Sequence, residues 1–375
     1  MISFEQALTK ILQNTQVLPA ERIAVEESVG SVLAQDIYSA VEMPPFNKSA
    51  VDGYALKCPD SVETAVKLKC IGSIKAGSTS KIQVKKGQCV KIMTGAPIPK
   101  GADSVVMVEY SAQSNNYVKI LRSVKKGQNI CLKGEDVKLR QKVMAKGTKV
   151  STSDIALLAT VGRRFIKAVR KPTVAFLNTG DEVVPVGRKL PKNKIYNSNG
   201  PQLQALLKSE GLPYKSLGII KDEPQKLSKA VEKGLSYDVL LISGGVSMGD
   251  YDLIPQILEK RGVKKVFHNV KIKPGKPLFF GKHKKTLIFG VPGNPVSNFT
   301  TYLLFIRPAL YKMTGYKNYM PQFLEGTIEE DFTHKRGRTH FVPVKVLKKE
   351  AQYTLMPLNS HGSADIVALS KADAF

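Results

Sequence analysis

The chain has 375 residues, more than one hydrophobic core usually serves, so two or more domains are expected. Its 57 Lys+Arg against 31 Asp+Glu give a net charge of +26, a surface that attracts polyanions without selectivity at low salt. Those basic residues are spread along the chain, Trp is absent and aromatic residues reach only 7%, so no stacking platform for nucleic acid is indicated.

The N-terminus, Met1-Ile-Ser-Phe-Glu-Gln-Ala-Leu8, has no basic stretch followed by an apolar one, and no apolar run approaches the ~20 residues that cross a bilayer. A soluble cytoplasmic protein without membrane contact is expected. Ser3 with Gln6 makes a capping box, and Phe4, Ala7, Leu8, Ile11 and Leu12 share a helical face. From about residue 41 to 140 the pattern becomes short alternating segments, such as 80–84 and 104–108, with turns at Lys86-Gly87 and Lys126-Gly127. Cys58, Cys70, Cys89 and Cys131 form no C-x-x-C pair, which argues against a zinc site or a disulfide framework. A second helix opens at Ser153 with Ile155, Leu158 and Val161, so the β-rich module reads as an insertion into a helical element.

From Pro172 onward strand and helix alternate. Strands are expected at 173–177, 217–220, 238–242 and 286–289. Helices are expected from Asn199, from Pro224, over 253–261 and after Asn294. This order implies right-handed crossovers and a mainly parallel sheet covered on both faces. Past Gly315 the strand period returns at 341–346 and 353–356, as a small β domain.

Open α/β sheets bind ligands beyond the carboxyl ends of their strands, and each expected strand end here carries a polar cluster. They are Asn178-Thr-Gly-Asp-Glu182, Asp222, Ser243-Gly-Gly-Val-Ser-Met-Gly-Asp-Tyr-Asp252 and Pro292-Gly-Asn-Pro-Val-Ser297. The last feeds a helix whose free N–H groups favour an anion. Glu182, Asp222 and Asp252 are candidate ligands of one hard cation, for which Mg²⁺ bridging phosphates is the natural choice. Lys273 and Lys276, in Lys-Pro-Gly-Lys-Pro, set two ammonium groups close together, a repulsion that a small oxyanion relieves. The five histidines have no metal-ligand spacing and read as surface or packing residues.

These strings resemble the molybdopterin molybdenumtransferases of the bacterial MoeA type, related to the E domain of gephyrin. The resemblance covers nearly the whole chain. It also includes residues 43–55 (Met-Pro-Pro-Phe-Asn-Lys-Ser-Ala-Val-Asp-Gly-Tyr-Ala), 92–99 (Ile-Met-Thr-Gly-Ala-Pro-Ile-Pro), 101–106 with Glu109, and Gly134-Glu-Asp136. It implies an α/β multidomain protomer with an elongated helical segment (1–40 plus 141–170), an inserted β-rich domain (41–140), a MogA-like α/β domain (171–315) and a C-terminal small β-barrel (316–375). It further implies a homodimer with its active site between subunits, and a MogA-type adenylyltransferase as partner. The implied reaction inserts molybdate into adenylylated molybdopterin with Mg²⁺-dependent release of AMP. The competing reading is a non-catalytic molybdopterin-binding scaffold of the gephyrin E type.

Carried onto matching positions, the resemblance gives Asp222 and Asp252 to the Mg²⁺ and phosphate end, with Glu182 close by. Asp52 and Thr94 approach from the partner subunit, supported by Asp136. Ser247, Lys273, Lys276 and Ser297 line the molybdate and pterin side, with Gly244, Gly245, Pro292, Asn294 and Pro295 as its backbone walls. Arg338 and Ser363 come from the C-terminal domain. Asn47-Lys48 stands where the family commonly has Asp-Asn. The chain stops at 372–375, where the family usually continues through further strands, so the barrel is expected to be short or truncated.

Overall fold

The computed structural model describes residues 1–63, 65–246, 253–333, 337–349 and 352–375. The first helix, Phe4–Asn14, starts on the capping box read from the sequence: the Ser3 hydroxyl accepts the Gln6 N–H, and the Gln6 side chain accepts the Ser3 N–H. Its apolar stripe is buried in a core shared with the α/β domain, where Phe4 packs against Phe305 and Phe341 with ring centres 5.4 and 5.6 Å away.

Residues 20–40 and 141–170 share a separate small core that includes Val25, Leu33, Ile37, Met144, Leu158 and Ile166. The helical character expected here reduces to Thr152–Thr160, capped by Ser151 through Asp154, and a 3₁₀ turn at Val25–Glu27. The remainder is short strands joined by turns, with Ala20–Ala24, Phe165–Val169 and Val32–Leu33 in one three-stranded sheet. β-branched and aromatic side chains at Ile23, Phe165 and Ile166 suit a pleated surface better than a helix.

The insertion between these segments carries a six-stranded sheet in the order Ser104–Met107, Gly53–Leu56, Gln88–Ile92, Val66–Ile74, Tyr117–Ile120, Ser111–Ser114. Gly53–Leu56 is buried on both faces. Tyr54 and Leu56 join one core, Ala55 the other. A Cβ at Gly53 would run into the Val106 carbonyl, so glycine lets these two strands approach. The strand expected at 80–84 does not form a ladder; only an isolated bridge joins Gln83 to Lys100.

The α/β domain holds a second six-stranded sheet, in the order Tyr214–Ile220, Val174–Thr179, Val239–Ser243, Thr286–Val291, Phe279–His283, Lys264–His268. The first four are parallel, as the alternation required. The last two run antiparallel and were not read from sequence. Helices Asn199–Ser209, Pro224–Gly234 and Ile254–Lys260, with the segment from Pro295 to Met313, cover both faces and make two cores. A π-helical turn, Tyr302–Ile306, interrupts the last of these. Beneath the sheet, at the strand N-termini, Arg170 reaches Asp238 with two N–H donors at 2.7 Å each.

In the C-terminal segment, expected as a small barrel, Thr327–Ile328, Gln352–Pro357 and Val344–Lys349 form a three-stranded sheet among the described residues, followed by the helix Ile366–Lys371. Thr339–His340 leaves this unit and pairs in parallel with Ile272–Lys273 of the α/β domain. Among the described residues, no helix is long and apolar enough to cross a membrane.

Candidate active site

The four parallel strands end at Thr179, Ile220, Ser243 and Val291. From Val174–Thr179 the chain steps outward to Tyr214–Ile220, then crosses back to Val239–Ser243 on the other side. That reversal opens a crevice between the ends of adjacent strands. A cavity of about 420 Å³ occupies it, with Glu182, Asp222, Gly244, Gly245, Pro292 and Asn294 in its wall. Gly244 has φ +96°, and a Cβ there would lie 2.6 Å from the Thr179 carbonyl, so the chain can turn this close to the neighbouring strand only as glycine.

The Thr179 hydroxyl donates to the Asp222 carboxylate, and the Asp222 backbone N–H reaches Asp181 at 3.3 Å. Glu182 stands across from Asp222 in the same cavity. All the donors offered are oxygens: two carboxylates, the Asn178 amide oxygen and the Thr179 hydroxyl, a set that suits a hard cation and disfavours zinc or copper. Among the described residues no cluster of three His, Cys, Asp or Glu forms. Asp252, the third carboxylate expected here, lies outside the described residues, as does Ser247.

A second cavity of about 750 Å³ adjoins the first and shares Pro277, Pro292 and Asn294 with it. Lys273, Lys276, Ser297, Arg338 and Ser363 line it together. Parallel pairing does the positioning: Thr339 N–H donates to Lys271 O at 2.9 Å and Phe341 N–H to Lys273 O at 2.8 Å, which sets His340 opposite Lys273 and brings Arg338, two residues earlier in the chain, into the same wall. Ser363 is tied to the strand-end loop by Asn294 Nδ2, 2.7 Å from its Oγ. Among the described residues Lys273, Lys276 and Arg338 have no carboxylate partner, although Glu330 lies in the same wall. Three uncompensated cations facing one cavity repel each other until an anion arrives.

The helix start after Asn294 is less available than expected. Pro295 has no N–H, and the Val296 N–H donates to Ser363 O at 3.2 Å, so the first turn offers an anion mainly the Ser297 N–H and hydroxyl. His340, read from sequence as a surface or packing residue, lies in the cation-lined wall. The signal was its place two residues after Arg338. Asn199, expected only as the start of a helix, turns its amide toward the crevice.

Asp52, Thr94 and Asp136 do not line either cavity of their own chain. Asp52 and Thr94 lie at paired strand ends of the inserted sheet, where Gly53 faces Ile92. The Thr94 N–H and hydroxyl both hold the Asp52 carboxyl below the usual carboxylate range. Asp136 is exposed, its N–H donating to Met43 O at 3.0 Å. Asn47, where the family commonly has a carboxylate, accepts the Lys133 N–H at 2.8 Å.

Three family profiles match in succession: the MoeA N-terminal region (domains I and II) over residues 2–162, a probable molybdopterin binding domain over 175–312, and the MoeA C-terminal region (domain IV) over 325–375. A protein of Staphylococcus epidermidis named molybdopterin molybdenumtransferase is 35% identical over 378 residues, covering 100% of this chain and 90% of its own. One of the same name from Staphylococcus aureus is 34% identical over 380 residues, covering 99% and 90%. A crystal structure of the molybdopterin biosynthesis MoeA protein from Pyrococcus horikoshii superposes with a TM-score of 0.80 at 31% identity, covering 100% of this chain and 93% of that one. With these full-length likenesses added to the strand-end site, the chain belongs to the MoeA family of molybdopterin molybdenumtransferases.

Proposed function

We propose that the two adjoining cavities are one active site, in which the chain acts as a molybdopterin molybdenumtransferase and inserts molybdate into adenylylated molybdopterin with release of AMP. The observation that carries this reading is the division of charge: Glu182 and Asp222 on one side of Pro292 and Asn294, and on the other Lys273, Lys276 and Arg338 against a single carboxylate in the wall, Glu330, with no carboxylate partner among the described residues. A substrate with a metal-bridged diphosphate at one end and a dithiolene awaiting an oxyanion at the other matches both halves.

Lys273 and Lys276 supply point charges for molybdate. Arg338 supplies a planar fork for two of its oxygens, and the Ser297 and Ser363 hydroxyls complete the pocket. Gly244 and Gly245 allow the pterin to approach the backbone. Glu182, Asp222 and Asp252 would hold Mg²⁺, which when bound withdraws charge from the phosphoanhydride oxygens. The lysines stabilise charge that develops as the anhydride opens, and an oxygen of water or molybdate attacks phosphorus in line. No covalent protein nucleophile is needed.

Asp52 and Thr94, backed by Asp136, are assigned to the other wall of the site, contributed by the second subunit of a homodimer. The division into 1–40 plus 141–170, 41–140, 171–315 and a barrel-type 316–375, a cytoplasmic location and a MogA-type supplier of the adenylylated substrate belong to the same reading. A purely scaffolding role gives no reason for three uncompensated cations in one cavity.

Incubation with adenylylated molybdopterin, Mg²⁺ and molybdate tests it. AMP release that depends on molybdate is expected; release indifferent to molybdate, or none, overturns the assignment.

A further inference from the structure

Asn199 is 7% exposed, Ser243 2% and Asn298 0%, and the three form one hydrogen-bonded knot under the crevice. Asn199 Nδ2 lies 2.9 Å from Ser243 Oγ and 2.7 Å from the Gly293 carbonyl oxygen. Asn298 Nδ2 donates to the same Ser243 hydroxyl at 2.8 Å. At the start of Asn199–Ser209 the Asn197 Oδ1 accepts the Gly200 N–H at 2.9 Å, so the Asn199 amide is not needed as a cap and is spent across the crevice; among the described residues its Oδ1 is buried without a partner. Leaving a buried acceptor unmade costs stability. A residue serving only its own helix would avoid that arrangement.

The two loops it grips are the two glycine-bearing walls of the site. Ser243 leads into Gly244–Gly245, and Gly293 sits between Pro292 and Asn294 at the exit of the next strand. Besides the knot, the Gly244 N–H to Val291 O bond at 3.1 Å ties these exits together. We propose that Asn199 and Asn298 are positioning residues, which fix the spacing of the Gly244–Gly245 wall against the Pro292–Asn294 loop and so keep the two halves of the site in register. The kinetic part of this inference rests on the transferase reading above; the geometric part does not.

The test uses the full-length chain with Asn199→Ala, and with Ser243→Ala as a second variant that removes both arms on the hydroxyl while sparing the Gly293 arm. Amide hydrogen exchange at Gly244 is expected to quicken at least about tenfold in Asn199→Ala and by less in Ser243→Ala, with the antiparallel edge strands unchanged. Exchange at Gly244 that matches the wild type, or that rises equally throughout the sheet, overturns the proposal in either variant. In turnover, kcat per folded protein is expected to fall about 100-fold, as misplacement on the ångström scale does, with KM within about threefold. A raised KM with unchanged kcat also overturns it. Wild-type protein without molybdate-dependent AMP release would remove the transferase reading and leave the exchange result to decide the knot.

Discussion

Thr94 gives both its backbone N–H and its hydroxyl to a single oxygen of Asp52, at 2.6 and 2.8 Å. The aspartate is solvent-accessible, so the pair is a device for keeping one charge fixed in direction, with little packing around it. Because its folded pKa is lowered, Asp52 contributes stability above the ordinary carboxylate pKa and loses it as pH falls through the depressed folded value. Thr94→Ala removes the hydroxyl and is expected to raise the Asp52 pKa toward the ordinary value. A carboxyl titration followed by NMR checks this, and an Asp52 pKa unchanged in Thr94→Ala contradicts it. If Asp52 serves turnover as an anion, the acid limb of the rate profile moves to higher pH in the same variant.

Arg170 and Asp238 lock the segment after Phe165–Val169 to the base of the α/β sheet. Burial alone would raise the Asp238 carboxyl, but the Arg170 guanidinium together with the Thr173 N–H and hydroxyl holds it below the usual range. Their side chains are 33% and 15% exposed, which leaves this pair less screened than a surface one. Asp238→Ala strands the guanidinium and is expected to cost about 3 kcal/mol in urea unfolding of the α/β domain. The wild-type contribution is present at neutral pH and fades as acid protonates Asp238, so the two proteins should converge in stability at low pH.

Lys273→Met, Lys276→Met and Arg338→Met should each weaken molybdate binding roughly 10- to 100-fold, the range for one charge-assisted hydrogen bond. Arg338→Lys keeps the charge but loses the fork, so it should recover only part of that loss. Equilibrium binding of molybdate at two salt concentrations tests the set, since the wild-type affinity should also fall as salt rises. Molybdate affinity unaffected by all three Met variants would exclude this wall as the oxyanion pocket.

Gly244→Ala places a Cβ at φ +96° and 2.6 Å from the Thr179 carbonyl, so the strand exit must shift. At least a tenfold fall in kcat is expected, with a lowered Tm. An alanine variant with wild-type turnover would show that the crevice tolerates a displaced wall.

Where one local signal decided the structure, the sequence was a sufficient guide. Ser3 and Gln6 announced the first helix, and polar clusters after Leu177, Ile220, Ile242 and Phe289 marked the strand ends that now line two joined cavities. What escaped depended on partners distant in the chain. No strand is expected over 264–268, yet it is an edge strand, with Lys264 and Lys265 exposed, because Phe279–His283 lies alongside in antiparallel register. Residues 80–84 alternate like a strand but have no neighbour to pair with in a ladder. Asn199 looks only like the start of a helix until Ser243 and Gly293 are brought within reach.

The docking of Phe4–Asn14 onto Phe305 and Phe341 also bears on how the chain is made. A ribosome releases that helix long before Phe305 and Phe341, which cover its apolar stripe. Throughout synthesis Ala7, Leu8 and Ile11 therefore wait without their native neighbours, and the opening segment is among the last to settle. Nascent chains halted before Tyr302 should be the ones a holdase chaperone grips at Phe4–Asn14.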